Sequence, residues 1–397
     1  MSAGFDPWSP AFVAYPYDAY ARLREQEPVS WFAPTGQWLV SRYDDVNALL
    51  RDRRLGRTYL HVATHEEMGR PADPDHLAPF WHLIRNGMLD REPPDHTRLR
   101  RLVSQAFTLR RVEALRPTVA RIADELVADF VADGGGDLIA RVAEPLPVTV
   151  IAEMLGVPDS DRQQLRPWSA DICGMYELNP TREAADRAVR ACVGFSDYLR
   201  DLSRDRRAHP RDDLVSALAH VDGLSEDELI GTCVLLLNAG HEATVNVTGN
   251  GWWALFRNPE QLAALRADPS PLPTAVEELM RYDTPLQMFE RWVLEDIEVR
   301  GVPIARGSEV ALLFGSANHD PAVFAAPSRL DLSRAENPHL SFGAGIHFCL
   351  GAPLARIELV CSFGALLRQA PGLRLVREPE WKPAYIIRGL KELLVEV

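Results

Sequence analysis

The sequence predicts a mainly α protein with a small β region. Seven segments carry apolar residues at three- and four-residue steps, the period of a helix with one buried face. The few β-branched, alternating segments are short and gather toward the two chain ends. The 397 residues are 46% hydrophobic and 25% charged, an ordinary globular balance with ample material for a large core.

Taken in order, Val29 to Phe32 and Trp38 to Val40 read as a strand pair. The stretch from Gly69 to Asp95 is rich in Pro and His, lacks a period and is expected to be a long loop of the kind that carries function. Helices are expected over Arg98 to Phe107, Val112 to Ala132, Pro145 to Leu155, Glu183 to Arg206, Ser225 to Arg257, Pro273 to Tyr282 and Pro353 to Gln369. Ser225-Glu-Asp-Glu228 is a capping-box signature that opens the longest of these, and Pro259 marks its stop. At 1.5 Å per residue that helix spans roughly 50 Å, and its apolar residues lie almost all round it, so it is expected to be buried. Trp292 to Val299, Glu309 to Phe314 and Leu393 to Val397 read as strands, and one small sheet is expected to join the chain ends. No repeat and no Gly/Ser linker divides the chain, and its 30 prolines punctuate helices. One domain over 1–397 is expected, with β segments near 28–41, 291–314 and 380–397 and helical regions over 90–290 and 350–370.

A net charge of −13 and a pI near 5.4 argue against a nucleic-acid partner, which would need a basic footprint. The start, Met1-Ser-Ala-Gly-Phe-Asp-Pro-Trp8, has neither a basic segment nor an apolar run, so no signal peptide is expected. No 18 consecutive apolar residues occur, so no membrane span is expected. Five scattered cysteines, an odd number, suit a reducing cytoplasm rather than a disulfide framework.

The most informative stretch is Phe342-Gly-Ala-Gly-Ile-His-Phe-Cys-Leu-Gly351. Cys349 stands just ahead of the helix opening near Pro353, where free backbone N–H groups and the helix dipole favour thiolate. Gly343, Gly345 and Gly351 let backbone approach something flat and bulky. A thiolate so held suits an axial ligand of haem iron. A dinucleotide fingerprint would need Gly where Phe348 stands, and zinc would need more ligands than His347 and Cys349. An inert buried cysteine in a Gly-rich turn is the bland alternative. With average residue usage the whole pattern arises by chance in such a chain on the order of once in a million.

That decapeptide resembles the haem-binding signature of the cytochromes P450, and motifs in the family's order extend the resemblance over nearly the whole chain. The resemblance implies a prism-shaped fold with a long central helix over haem b, iron protoporphyrin IX. It implies Cys349 as proximal ligand, His347 at a haem propionate, and Phe342, Gly343 and Gly351 around the macrocycle. Asp95-His96-Thr-Arg-Leu-Arg100 resembles the family helix that clamps propionates. Its His96 and Arg100 lie one turn apart on one side of a helix, and Arg291 matches another such contact. Glu278-Leu-Met-Arg281 resembles the family's Glu-x-x-Arg, whose third member would be Arg329 in the meander Asp320 to Arg329. Taken alone, Glu278 and Arg281 would read as a surface ion pair worth less than about 1 kcal/mol, and His96 with Arg100 as a solvated basic helix face.

In the long helix, Ala239-Gly240-His-Glu242-Ala243-Thr244 resembles the family's Ala-Gly-x-acid-alcohol pattern, with Ala239 and Gly240 against haem and Glu242 in proton delivery. Gly240 weakens a helix by about 1 kcal/mol relative to Ala, which close approach to a porphyrin or plain helix packing would explain equally well. The alcohol position is Ala243, and Thr244, about 100° round the helix, cannot take its place. Ordered water or a substrate hydroxyl is expected to fill that gap.

The resemblance further implies activation of O2 with NAD(P)H-derived electrons, brought by a separate ferredoxin or flavodoxin and its reductase docking on the cysteine side. It implies a monomer acting on a small, largely apolar molecule. Met88, Leu89, Leu235, Leu286, Met288, Phe289, Ile386 and Ile387 are candidate substrate walls, and each could equally be core. Oxidative coupling, peroxide-driven oxidation and a haem-binding sensor without turnover are the alternatives.

Overall fold

The computed structural model describes residues 4–397. It carries the helices that periodicity predicts, including Pro145–Leu155, Arg182–Ala208, Glu226–Arg257, Leu272–Tyr282 and Ala352–Gln369. Met1 to Ala3, the start of the segment read for a signal peptide, lie outside the described residues. No described helix is long and apolar enough to cross a membrane.

The chain forms two compact units. One comprises the described residues up to Gly56 with Val119–Leu146 and Ala243–Val397; the other comprises Arg57–Thr118 and Pro147–Glu242. The first holds a five-stranded sheet in the order Val29–Phe32, Gln37–Val40, Glu309–Leu312, Phe289–Val293, Leu55–Gly56. Gln37–Val40 and Glu309–Leu312 run parallel, with Trp38 opposite Val310. Beneath lies a core of Val40, Leu49, Val293, Val310, Leu312 and Phe314. This sheet joins the N-terminal strands to those near residue 300, as the sequence predicts.

Four expectations are corrected. Leu394–Glu396 does not join that sheet but pairs with Gly135–Asp137 and Arg374–Leu375. A Cβ on Gly135 would lie 2.4 Å from the carbonyl oxygen of Val395, so the glycine run makes this strand possible. Glycine is depleted in strands, which is why the run did not read as one. The stretch Trp292 to Val299 is two strands, Phe289–Val293 and Ile297–Val299, and the second forms a hairpin with Val302–Ile304. Its turn residues Arg300 and Gly301 both have positive φ, as a tight hairpin turn requires. The expected helix over Val112 to Ala132 breaks at Leu115 into Leu109–Ala114 and Arg116–Ala132.

The long loop is the fourth. Within Gly69 to Asp95 the chain forms the helix Ala78–Asn86 and a short 3-10 turn, Met88–Asp90. Pro79 sits in the helix's first turn, where its missing N–H costs nothing, and Phe80 and Leu83 bury one face.

The capping box is present: the Ser225 N–H donates to Glu228 Oε2 at 3.1 Å and the Glu228 N–H to Ser225 Oγ at 3.2 Å. Arg91 and Arg98 both donate to the Glu228 carboxylate and neutralise it in its nearly buried place. The helix Glu226–Arg257 ends two residues before Pro259, which opens the next helix. It is buried along most of its length, yet carries buried polar side chains at Thr232, Asn238, His241, Thr244, Asn246, Thr248 and Asn250.

Candidate active site

In the first unit, Cys349 lies two residues before Gly351, which caps the 18-residue helix Ala352–Gln369. Its own N–H donates to the Phe342 carbonyl at 3.0 Å, closing the loop on itself. Gly343 and Gly345 have φ of +67° and +72°, a region that side chains make costly. A Cβ on Gly345 would stand 2.3 Å from the Leu50 carbonyl oxygen. The loop therefore has little freedom. Ile346 and Phe348, on either side of His347, are 47% and 41% exposed.

Four other cysteines give a comparison. Cys173, Cys192 and Cys233 are buried, and burial pushes their thiols up, to about 12 for the last two. They stay protonated. Cys361 lies inside the helix Ala352–Gln369. Cys349 alone combines partial exposure with a place ahead of a helix N-terminus. No three His, Cys, Asp or Glu side chains gather as a metal cage among the described residues. One cysteine sulfur in a glycine-bent loop between exposed apolar side chains is a donor set that suits an iron macrocycle carrying its own equatorial ligands.

The support beneath this loop is a buried charge network. Arg281 Nε and Nη2 donate to Glu278 Oε2 and Oε1 at 2.7 and 2.8 Å, and both side chains are fully buried. The third member is Arg334, whose Nε lies 3.0 Å from Glu278 Oε2. Arg329, expected in that role, is exposed and gives Arg281 only its main-chain carbonyl, at 3.4 Å. Sequence spacing could not tell two arginines five residues apart in an irregular loop.

Glu277, which sequence reasoning missed, grips the cysteine loop from both sides. Arg356, on the helix after Cys349, donates to it at 2.6 and 2.8 Å, and His339, ahead of the loop, contacts it at 3.1 Å. Burial pushes the Glu277 carboxyl up, but the bonds from Arg356 and His339 outweigh that and hold it at about 2. The Arg356 guanidinium also covers the Phe342 ring at 4.6 Å. The one sequence signal was that Glu277 adjoins Glu278.

Arg291 is buried in the strand Phe289–Val293, donates to the Glu290 carbonyl at 2.8 Å and lies over the Phe289 ring. His347 is half-buried. In the second unit, His96 is buried and Arg100 half-buried on the helix Asp95–Ala106.

On the long helix, a Cβ at Gly240 would lie 2.6 Å from Ile151 Cδ1. A side chain here would have to push that methyl of the helix Pro145–Leu155 aside. Ala239 is exposed and the Glu242 side chain 19% exposed. Ala243 is half-buried, whereas Thr244 is buried. The alcohol thus turns away from the face that Ala243 presents, as the angular argument requires.

Of the candidate substrate walls, Leu89 and Leu235 line one small cavity of the second unit. Leu286 and Ile387 meet across an isolated β-bridge in the first. Met88, Met288 and Ile386 are buried core side chains, and Phe289 packs against Phe314.

Comparison with known proteins agrees with this geometry. The family model described as Cytochrome P450 matches residues 271–369. The polyketide biosynthesis cytochrome P450 PksS of Bacillus subtilis is 39% identical over 99% of this chain and 98% of its own. The 6-deoxyerythronolide B hydroxylase of Saccharopolyspora erythraea is 41% identical over 96% of each. The crystal structure of P450BioI with an acyl carrier protein carrying hexadec-9Z-enoic acid superposes with a TM-score of 0.92 at 36% identity, over 98% of this chain and 100% of that one. With relatives of this identity along its whole length and a thiol poised at a helix start, the chain belongs to the cytochrome P450 family of haem-thiolate monooxygenases.

Proposed function

We propose that this chain inserts one oxygen atom of O2 into a small, largely apolar organic molecule of secondary metabolism. The observation that carries this reading is Cys349, held by the Phe342 carbonyl and a helix start. Haem, when bound, supplies the O2 chemistry, using two electrons and releasing the second oxygen atom as water.

This chain's residues bind, orient and move protons. Cys349 is the iron ligand, and Phe342, Gly343, Gly351 and Ala239 border the macrocycle. His96, Arg100, Arg291 and His347 would donate to its two carboxylates, sensible pairing for a half-buried dianion. Glu277, with His339 and Arg356, keeps the loop at a fixed height. Glu242, whose side chain is partly exposed, is the carboxylate we place at the solvent end of the proton path. The missing hydroxyl at Ala243 leaves the last transfer to ordered water or to a hydroxyl of the substrate. We place the two units in one catalytic domain in the cytoplasm, acting as a monomer. Electrons come from a separate ferredoxin or flavodoxin with its reductase.

Ala243 also favours a second reading, peroxide-driven oxidation, because peroxide brings its own protons and needs less of the relay; oxidative coupling is the other product outcome of the same chemistry. Turnover under labelled O2 separates them: one labelled oxygen in the product supports insertion, and a product without label, coupled or oxygenated from added peroxide, supports the second. The thiolate itself is tested by reduction under carbon monoxide. Wild type should give the strongly red-shifted absorption band of thiolate ligation, and Cys349→Ser should lack it.

A further inference from the structure

The long helix presents one stripe that is not sealed. Leu235, Asn238, Ala239 and Glu242 stand at positions i, i+3, i+4 and i+7 and so share a face. Leu235 is half-buried, Ala239 exposed and Glu242 in contact with solvent, whereas Leu237 and His241, off the stripe, are buried. Asn238 is the anomaly on this stripe. Its side chain is 2% exposed, and neither its amide nitrogen nor its amide oxygen has a hydrogen-bond partner. A buried amide left unmatched costs stability, so a leucine here would serve the fold better.

Asn238 lines the same small cavity as Leu89 and Leu235, together with Leu83, Val234, Tyr176 and Asp90. The walls are mainly apolar. Asp90 is already engaged by Arg57 Nη2 at 3.2 Å. Burial, with Cys173 and Asp90 nearby, pushes the Tyr176 hydroxyl well up, so it stays protonated. The cavity is about the size of one water molecule, too small for a substrate body but suited to a single polar group. An amide offers both a donor and an acceptor, which together match a hydroxyl; a carbonyl matches the donor alone.

We infer that Asn238 is a specificity-determining residue that anchors one hydroxyl or carbonyl oxygen of the substrate, leaving its apolar body along the stripe toward Ala239 and Glu242. The inference rests on the monooxygenase reading, and it changes the expected substrate from simply apolar to apolar with one neutral oxygen function beside Ala239 and about one helical turn from Glu242. A site built to bond such a group discriminates strongly against an analogue that lacks it.

The test uses three probes with one ring, cyclododecane, cyclododecanone and cyclododecanol, titrated into the haem-loaded protein while the Soret shift is followed. The carbon monoxide band, recorded for every variant, reports the thiolate reading separately from this one. Wild type should bind cyclododecanol about tenfold tighter than cyclododecane, the equivalent of one good hydrogen bond. Asn238→Leu should bring the ratio to about one while cyclododecane binds at least as well, and Asn238→Thr should restore part of the preference. Thermal unfolding of the protein without probe supplies a second readout. Asn238→Leu should keep or raise Tm, since an unmatched amide is removed. A preference that survives Asn238→Leu, a wild type without preference, or a Tm lowered by more than about 2 °C would each overturn the inference; the last would mark an amide that serves the fold.

Discussion

Arg334 Nε lies 3.0 Å from Glu278 Oε2, so the carboxylate already bound twice by Arg281 carries a second guanidinium. Removing Arg334 leaves the buried Glu278–Arg281 pair intact but takes one charge-assisted hydrogen bond from the carboxylate.

Arg334→Met should therefore destabilise the protein by about 2 kcal/mol, the range for one hydrogen bond to a charged group. Arg329→Met should cost no more than about 0.5 kcal/mol, as for most surface changes. Denaturant unfolding of both variants checks this, and an equal loss in the two would return the role to Arg329.

Gly240 and Ile151 form a second measurable pair. Gly240→Ala gains about 1 kcal/mol of helix propensity but sets a methyl 2.6 Å from Ile151 Cδ1, an overpacking that costs about 1–3 kcal/mol. Alone it should be neutral to destabilising. In an Ile151→Val background, where that methyl is gone, Gly240→Ala should stabilise by about 1 kcal/mol. A double-mutant cycle with no coupling would show that packing does not demand the glycine.

The acid limb of the stability curve should report Glu277. Its carboxyl is held at about 2 against 4.5 in the unfolded chain. A depressed carboxyl binds fewer protons when folded, so its contribution is full above pH 4.5 and disappears as pH falls toward 2. At about 1.4 kcal/mol per unit, that contribution is on the order of 3 kcal/mol. Glu277→Gln should lower stability at pH 7 and flatten the slope between pH 4.5 and 2. A slope equal to that of wild type would assign the acid sensitivity elsewhere.

Ala243→Thr restores an alcohol on the half-buried face next to Glu242. If water or a substrate hydroxyl already completes proton delivery, wild type with a well-fitting substrate should release little peroxide per NAD(P)H consumed. The added threonine should then leave that ratio unchanged or raise it. A wild type that loses most of its electrons as peroxide, and is corrected by Ala243→Thr, would sink the substitute relay.

The helices were legible because each buries one face, and a 3.6-residue period survives in the order of residues even where capping and loop geometry do not. Pro145–Leu155 matches its predicted bounds, and Ser225 and Glu228 announced their helix start through side-chain chemistry alone. The cysteine loop was legible for a related reason. A helix start favours a thiolate and glycines at positive φ bend the loop that holds it, and both leave fixed marks at fixed spacing.

What the linear order could not carry was partner choice. Leu394–Glu396 reads the same whichever edge it joins, and the glycine run at 134–136 accepted it because only backbone without a Cβ could come so close. Arg329 and Arg334 are chemically alike, and the path of an irregular loop decided which guanidinium reached Glu278. Asn238 carries no mark in the sequence that sets it apart, and only the packing around it shows a buried amide with no bonding partner. Local period and side-chain chemistry are written along the chain, whereas the pairing of like with like is settled by distances that exist only once the chain has folded.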